Sequence, residues 1–208
     1  PSPSGVLLIR GVPIGDLPAT PATPRAAVGK DRRTEMLLLA AARLLGHPVG
    51  YLPEHGGDLV QNIVPVQATA DRQVSTSSRV QLEFHTEAAF HPHRPRYLLL
   101  LCLRGDPSAE TTYCSVRDMV PVLDPAQVAI LRQARFATGV DESYIGFRSD
   151  ALGPAMPVLS GPSGQERICF DGDLMVGLDP EAHAAIESLR IATRRVQGGV
   201  VLTAGDLL

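Results

Sequence analysis

The feature that most constrains the fold is a short apolar run, Arg96–Arg104, with the sequence RYLLLLCLR. Pro92 and Pro95 come just before it and interrupt regular structure, because proline has no amide hydrogen to donate to a sheet. A run of this length is too short to cross a membrane as a helix, and it is typical of a strand buried on both faces. It therefore predicts the central strand of a packed sheet.

The rest of the chain predicts many short strands and a few helices. Further strands are predicted over residues 5–10, 58–66, 79–84, 111–116 and 199–202, and helices over 32–45, 124–135 and 179–196. The last two helices open with Asp-Pro, which supplies an N-cap and a proline in the first turn. Residues 11–29, 67–78 and 141–167 are predicted to be irregular. This pattern indicates an α+β fold built around a β-sandwich or barrel.

Composition places the chain among globular proteins. It has 208 residues, 44% of them hydrophobic, and a net charge of −3, which fits one domain with a packed core. No basic stripe with aromatic residues suggests a nucleic-acid partner, and no segment suggests a membrane span. The first residues lack the features of a signal peptide, and Cys102, Cys114 and Cys169 follow no disulfide or metal-binding pattern. We therefore expect reduced thiols and a cytoplasmic location.

The sequence His85-Thr86-Glu87 directly follows the predicted strand 79–84. Side chains alternate along a strand, so His85 and Glu87 are expected to point to the same side. An imidazole and a carboxylate are two of the three ligands that hold non-haem Fe(II) in a 2-His-1-carboxylate site. The alternative is a solvent-facing pair on a strand edge. His91 and His93 are expected to be loop residues near the site and not ligands.

Several longer motifs carry a resemblance that extends from about Leu37 onward. They are HTEAAFHP at 85–92, YLLLLCLR at 97–104, QNIVP at 61–65, Thr111-Thr112, SVRD at 115–118, FDGDLM at 170–175 and GDLL at 205–208. Together they resemble the clavaminate synthase-like Fe(II)/2-oxoglutarate oxygenases, and most of all the hydroxylases of free L-arginine and L-asparagine in peptide-antibiotic biosynthesis. The resemblance implies a double-stranded β-helix (jelly roll) core with flanking helices.

The resemblance also implies roles for individual residues. His85 and Glu87 would bind iron, and Thr111 or Thr112 would contact 2-oxoglutarate. The third ligand, a His, and the Arg that binds the far carboxylate of 2-oxoglutarate are expected beyond Leu208. Residues 1–208 would then be a single oxygenase domain without its C-terminal part.

A second set of residues is implied to bind the substrate. Gln61, Ser75 and Glu87 would contact the amino-acid end, and Asp171 with Asp173 would bind a cationic side chain. The two aspartates share a face if the segment is extended, and paired carboxylates suit a guanidinium. The alternative is a simple turn, because Asp-Gly is a strong turn signal.

The implied reaction is the hydroxylation of an unactivated β or γ carbon of a free amino acid, with L-arginine as the first candidate. It would use Fe(II), 2-oxoglutarate and O2. Asparagine, lysine, citrulline and ornithine remain alternative substrates. A different alternative is a jelly-roll module that binds a small molecule without catalysis.

Overall fold

The computed structural model describes residues 5–24, 29, 31–146 and 149–208. They belong to two compact units, each made of several chain segments. The first unit comprises Pro1–Leu7, Glu83–Pro95 and Glu110–Val200, and the second comprises Leu8–Leu82, Arg96–Ala109 and Val201–Leu208.

The helices and strands are short, with one exception. In chain order the α-helices are α1 (Arg33–Leu45), α2 (Val116–Met119), α3 (Pro125–Leu131), α4 (Glu142–Ile145) and α5 (Pro180–Val196). The strands are β1 (Glu110–Tyr113), β2 (Phe136–Thr138), β3 (Leu159–Ser160), β4 (Arg167–Ile168), β5 (Met175–Gly177) and β6 (Gly198–Val201). Single 3₁₀ turns lie at His55–Gly57, Gln67–Thr69 and Val120–Val122. The predicted α+β content is confirmed. The jelly-roll arrangement stays a prediction, because the described strands pair two by two.

Helix α5 is the central element of the first unit. Asp179 caps it by accepting a hydrogen bond from the N–H of Ala182 at 3.0 Å, and Pro180 occupies its first turn. Ile186 and Leu189, spaced three residues apart, are fully buried on one face. This face packs against α3 and β5. The predicted helix 179–196 is therefore confirmed, and helices 32–45 and 124–135 are confirmed with slightly shorter bounds.

The described strands form three pairs, and a strand of one pair, β5, contacts this helix. Strand β2 pairs antiparallel with β5, where Phe136 lies opposite Gly177, and β3 pairs antiparallel with β4. Strand β1 pairs with β6. The buried side chains of these elements and of α5 form one hydrophobic core, whose members include Met119, Leu131, Phe136, Leu159, Phe170, Met175, Ile186 and Leu189. Phe170, one residue before the DGD sequence, thus anchors that segment to the core.

In the second unit, the final residues of the chain lie between two extended segments. Leu207 bridges Ile9 on one side and Leu101 on the other, both antiparallel. The carboxylate of Asp206 is buried and accepts hydrogen bonds from the N–H and hydroxyl of Thr203 and from Arg10. These bonds, the backbone one first, lower the pKa of Asp206. The GDLL sequence thus holds two distant segments of the chain together.

Several of the strand predictions are wrong. The run Arg96–Arg104 pairs with the chain end only around Leu101, and none of its side chains is buried; Leu98, for example, is 56% exposed. Apolar composition gave the wrong expectation here because an apolar run alone does not distinguish a fully buried strand from a partly covered extended segment. Residues 58–66 and 79–84 contain no strand, and the bridge at His85 comes directly after the second of these segments.

Cys102, Cys114 and Cys169 are all free, and their reduced state stays a prediction. Burial raises the pKa of Cys114 to about 11, with a smaller contribution from the charge of Asp118. Among the described residues, no helix combines the length and the apolar character that a membrane crossing requires.

Candidate functional site

The HTE segment is held against the DGD segment by an antiparallel pairing. His85 and Asp171 form the bridge. On either side of it, the N–H of Thr86 donates to the carbonyl of Phe170 at 2.8 Å, and the N–H of Gly172 donates to that of Phe84 at 2.9 Å. Two segments separated by 84 residues in the sequence are therefore fixed in register beside each other.

The backbone also holds the His85 ring through one of its nitrogens. Nδ1 of His85 lies 2.8 Å from the carbonyl oxygen of Glu83. A carbonyl oxygen only accepts hydrogen bonds, so Nδ1 is the donor of this contact and Nε2 is the nitrogen that remains for another partner. Histidine ligands of metals commonly donate their second ring N–H in this way. The side chain is exposed, so Nε2 is accessible.

Glu87 does not continue a strand. It is half-buried and begins the turn 87–90, and the next residue, Ala88, has a φ of 49°. This left-handed conformation is unfavourable for residues with a side chain and is found mostly at tight turns and functional sites. Strand alternation therefore stops after His85 and does not determine the direction of the Glu87 side chain, so a common side for the two groups stays a prediction.

Two side chains hold this turn from both ends. The hydroxyl of Thr86 is bonded to the backbone of Phe170, and the buried thiol of Cys169 donates to the carbonyl of Ala89 at 3.3 Å. Burial raises the pKa of Cys169. The sequence did not predict this role for either residue. The only available signal was the position of Thr86 between two candidate ligands.

Asp171 and Asp173 lie in a turn and not in an extended pair. One carboxylate oxygen of Asp171 accepts hydrogen bonds from the N–H groups of Asp173 and Leu174, at 2.9 and 2.8 Å. The expectation that alternation brings both carboxylates to one face is therefore wrong, and the turn alternative describes the backbone. Burial raises the pKa of Asp171, while these hydrogen bonds and nearby His85 lower it. The Asp173 side chain is exposed.

The roles of the other candidate residues, Thr111, Thr112, Gln61 and Ser75, stay predictions. Thr111 and Thr112 both lie on β1 and are both half-buried, so exposure does not separate them. In the second unit, Gln61 lines a cavity of about 420 Å³ whose other walls include Leu38 and Leu101. Ser75 is exposed in a turn of that unit.

The donor atoms of His85 and Glu87 fit a ferrous ion, which prefers a neutral imidazole and a carboxylate. Across residues 5–24, 29, 31–146 and 149–208, no group of three or more His, Cys, Asp or Glu side chains is placed to hold a metal. His91 uses its Nδ1 to accept the N–H of His93, which agrees with a loop role for both. His85 and Glu87 therefore stay the two predicted ligands of the expected three.

Comparison with known proteins identifies what this arrangement resembles. The family described as "Taurine catabolism dioxygenase TauD, TfdA family" matches residues 4–170. L-lysine 3-hydroxylase of Catenulispora acidiphila is 35% identical over 210 residues, which covers 98% of this chain and 58% of that enzyme.

Two solved structures also match. One is asparagine oxygenase in complex with Fe(II), 2S,3S-3-hydroxyasparagine and succinate. It is 32% identical with a TM-score of 0.89, and the match covers 99% of this chain and 65% of that chain. The other is the non-heme iron oxygenase OrfP in complex with Fe, succinate and (3S)-hydroxy-L-Arg. It is 26% identical with a TM-score of 0.82, and the match covers 96% of this chain and 66% of that chain. The resemblance to iron-dependent amino-acid oxygenases is confirmed. The chain spans about three fifths of the lysine hydroxylase.

Proposed function

Because this chain belongs to the TauD/TfdA family of dioxygenases, we propose that the protein is an Fe(II)/2-oxoglutarate-dependent hydroxylase of a free amino acid. The proposed substrate is L-arginine, hydroxylated at its β or γ carbon, and the proposed core of the whole protein is a jelly roll. The observation that carries the proposal is the bridge between His85, the proposed metal ligand, and Asp171, which belongs to an acidic turn.

His85 and Glu87 would hold the iron. The hydrogen bond from Nδ1 to the Glu83 carbonyl keeps the Nε2 lone pair of His85 ready for the metal without a change of tautomer. When bound, Fe(II) with 2-oxoglutarate and O2 supplies the oxidising power that converts C–H to C–OH, while 2-oxoglutarate leaves as succinate and CO2. Thr111 or Thr112 would donate its hydroxyl to a carboxylate of 2-oxoglutarate.

The acidic turn supports a cationic substrate. The exposed carboxylate of Asp173 forms no ion pair with any residue that the structure describes, so it is available to a ligand. Asp171 has one oxygen engaged by backbone N–H groups and would contribute its negative charge. A guanidinium or ammonium would be attracted to such a turn. A neutral substrate side chain would not compensate the negative charge of the turn. Gln61 and Ser75 would bind the amino-acid end of the substrate.

The test is turnover by the full-length natural protein with Fe(II), 2-oxoglutarate, O2 and a panel of free amino acids. L-arginine and L-citrulline are the informative pair, because they have nearly the same shape and differ in charge. We expect succinate release that depends on arginine, hydroxyarginine by mass spectrometry, and little product from citrulline. If lysine or ornithine proves the better substrate, the proposed cationic site stands and the proposed identity of the substrate changes.

A matched variant distinguishes an effect on substrate binding from an effect on the reaction itself. D173N should lower kcat/KM for arginine by about tenfold, the effect expected for a lost charge-assisted hydrogen bond, and should leave the turnover of a neutral amino acid nearly unchanged. No succinate release with any amino acid in the panel, and no hydroxylated product, would contradict the proposed function and favour a module that only binds.

A further inference from the structure

Helix α5 carries an arginine that reaches the backbone of the acidic turn. Arg190 donates from Nε to the carbonyl of Gly172 and from Nη2 to the carbonyl of Met175, both at 3.1 Å. It also contacts the carboxylate of Glu187 on its own helix. The N–H of Met175 in turn donates to the carbonyl of Asp171 at 3.1 Å. One guanidinium therefore holds both ends of the turn that contains Asp171.

The next turn of the same helix reaches the opposite segment. Arg194 lies four residues after Arg190, on the same face of α5. Its Nη2 contacts the carboxylate of Glu83 at 2.5 Å. The backbone carbonyl of Glu83 is the group that accepts the Nδ1 proton of His85. The two arginines thus bind the two paired segments, one each.

Close packing connects the two segments between these arginines. A Cβ placed on Gly172 would lie 2.9 Å from the Cβ of Glu83 and 3.1 Å from the carbonyl oxygen of Phe84. A glycine is therefore required for this approach, and a shift of either segment is transmitted to the other. The path from Arg190 to His85 runs through Gly172 and the carbonyls of Phe84 and Glu83.

We propose that Arg190 is a positioning residue for the metal ligand His85, assisted by Arg194, and that α5 fixes the tautomer and direction of this imidazole through the Gly172 contact. The effect of this role on metal binding rests on the proposed function. The geometry of the His85 ring can be measured without metal. Planar, two-armed donation to two carbonyls is a task that arginine performs and lysine does not. A purely structural arginine would affect stability and leave the His85 ring unchanged.

The experiment uses the full-length protein with 15N-labelled histidine. Variants R190Q and R190K are compared with R195Q, which alters an exposed arginine of the same helix that makes no hydrogen bond to either segment among the residues described. The tautomer of His85 is read from the long-range 1H–15N spectrum of the metal-free protein, with the signal assigned from H85Q. Anaerobic titration with Fe(II) then gives the metal affinity.

We expect a single Nδ1–H tautomer in the wild-type protein and in R195Q, and a mixture of both tautomers in R190Q and R190K. Fe(II) affinity should fall by about tenfold in both Arg190 variants, within the range found when a group behind a metal ligand is removed. R194Q, whose side chain is more exposed, should show a smaller effect in the same direction and serves if the Arg190 variants do not fold.

The same tautomer and the same Fe(II) affinity in the Arg190 variants, R194Q and R195Q would overturn the positioning role. Failure of the wild-type protein to bind Fe(II) would instead count against the proposed function. The tautomer comparison would still decide whether Arg190 controls the His85 ring, so the two failures are distinguishable.

Discussion

The hydroxyl of Thr86 is bonded twice to the backbone of Phe170: it accepts a hydrogen bond from the N–H and donates one to the carbonyl, each at 3.1 Å. The N–H of Thr86 donates to the same carbonyl at 2.8 Å. Phe170 is itself buried in the core. Because a slip of one residue would turn His85 to the other face, these bonds fix the side from which a metal could be reached.

The first prediction concerns this hydroxyl. T86V keeps the shape of the side chain but leaves the buried N–H of Phe170 without its acceptor, so we expect a loss of about 1–3 kcal/mol in the free energy of unfolding. T86S keeps the hydroxyl and should lose less than about 1 kcal/mol. Urea unfolding of the three proteins measures this. Equal stability of T86V and T86S would show that the hydrogen bonds contribute little.

The second prediction concerns the left-handed Ala88, which follows Glu87 and is buried. Glycine adopts this φ without strain but loses more entropy on folding, so A88G should change stability by less than about 1 kcal/mol. A88V adds volume and a β-branched side chain that the conformation disfavours, and should lose roughly 2–3 kcal/mol. Thermal and urea unfolding provide the comparison. A stable A88V would mean that the turn relaxes to another conformation.

The third prediction concerns acid stability at the start of α5. Asp179 accepts hydrogen bonds from Arg135 and from the N–H of Ala182, and the Arg135 contact chiefly lowers the pKa of Asp179 from 3.8 to about 2. A lowered folded-state pKa gives a stabilisation that is complete above pH 4 and is lost as the pH falls through about 2.

D179N is the matched variant, because asparagine still caps a helix but carries no charge. The wild-type protein should exceed it in stability by a constant amount at neutral and weakly acidic pH, and this difference should shrink as the pH falls below 4. Urea midpoints over that range measure the difference. A difference that does not depend on pH would exclude the carboxylate as its source.

Local signals in the sequence were enough for the helices and insufficient for the pairing of segments. Asp124-Pro125 and Asp179-Pro180 predicted two helix starts because capping depends on adjacent residues. The bridge of His85 to Asp171 depends on residues far apart in the sequence, and no local pattern encodes it.

The same limit applies to the site. His85 and Glu87 were proposed from their residue types. The turn at Ala88, directly after Glu87, has no strong sequence signal, because alanine rarely adopts a positive φ. The Asp-Gly turn signal at Asp171 competed with strand alternation, and the turn describes the backbone. The contacts of Arg190 with the acidic turn were not predicted, since they go to backbone carbonyls, which every residue has.

The most direct test of the central claim is anaerobic Fe(II) titration, with 2-oxoglutarate present, of the full-length protein and four variants. H85Q and E87Q each remove a proposed ligand, while H91Q and H93Q change neighbouring loop histidines as controls. We predict that H85Q and E87Q lose affinity by at least about a hundredfold and that the controls stay within about twofold of the wild-type protein. Wild-type affinity in H85Q or E87Q, or its loss in H91Q, would contradict the assignment of the metal site.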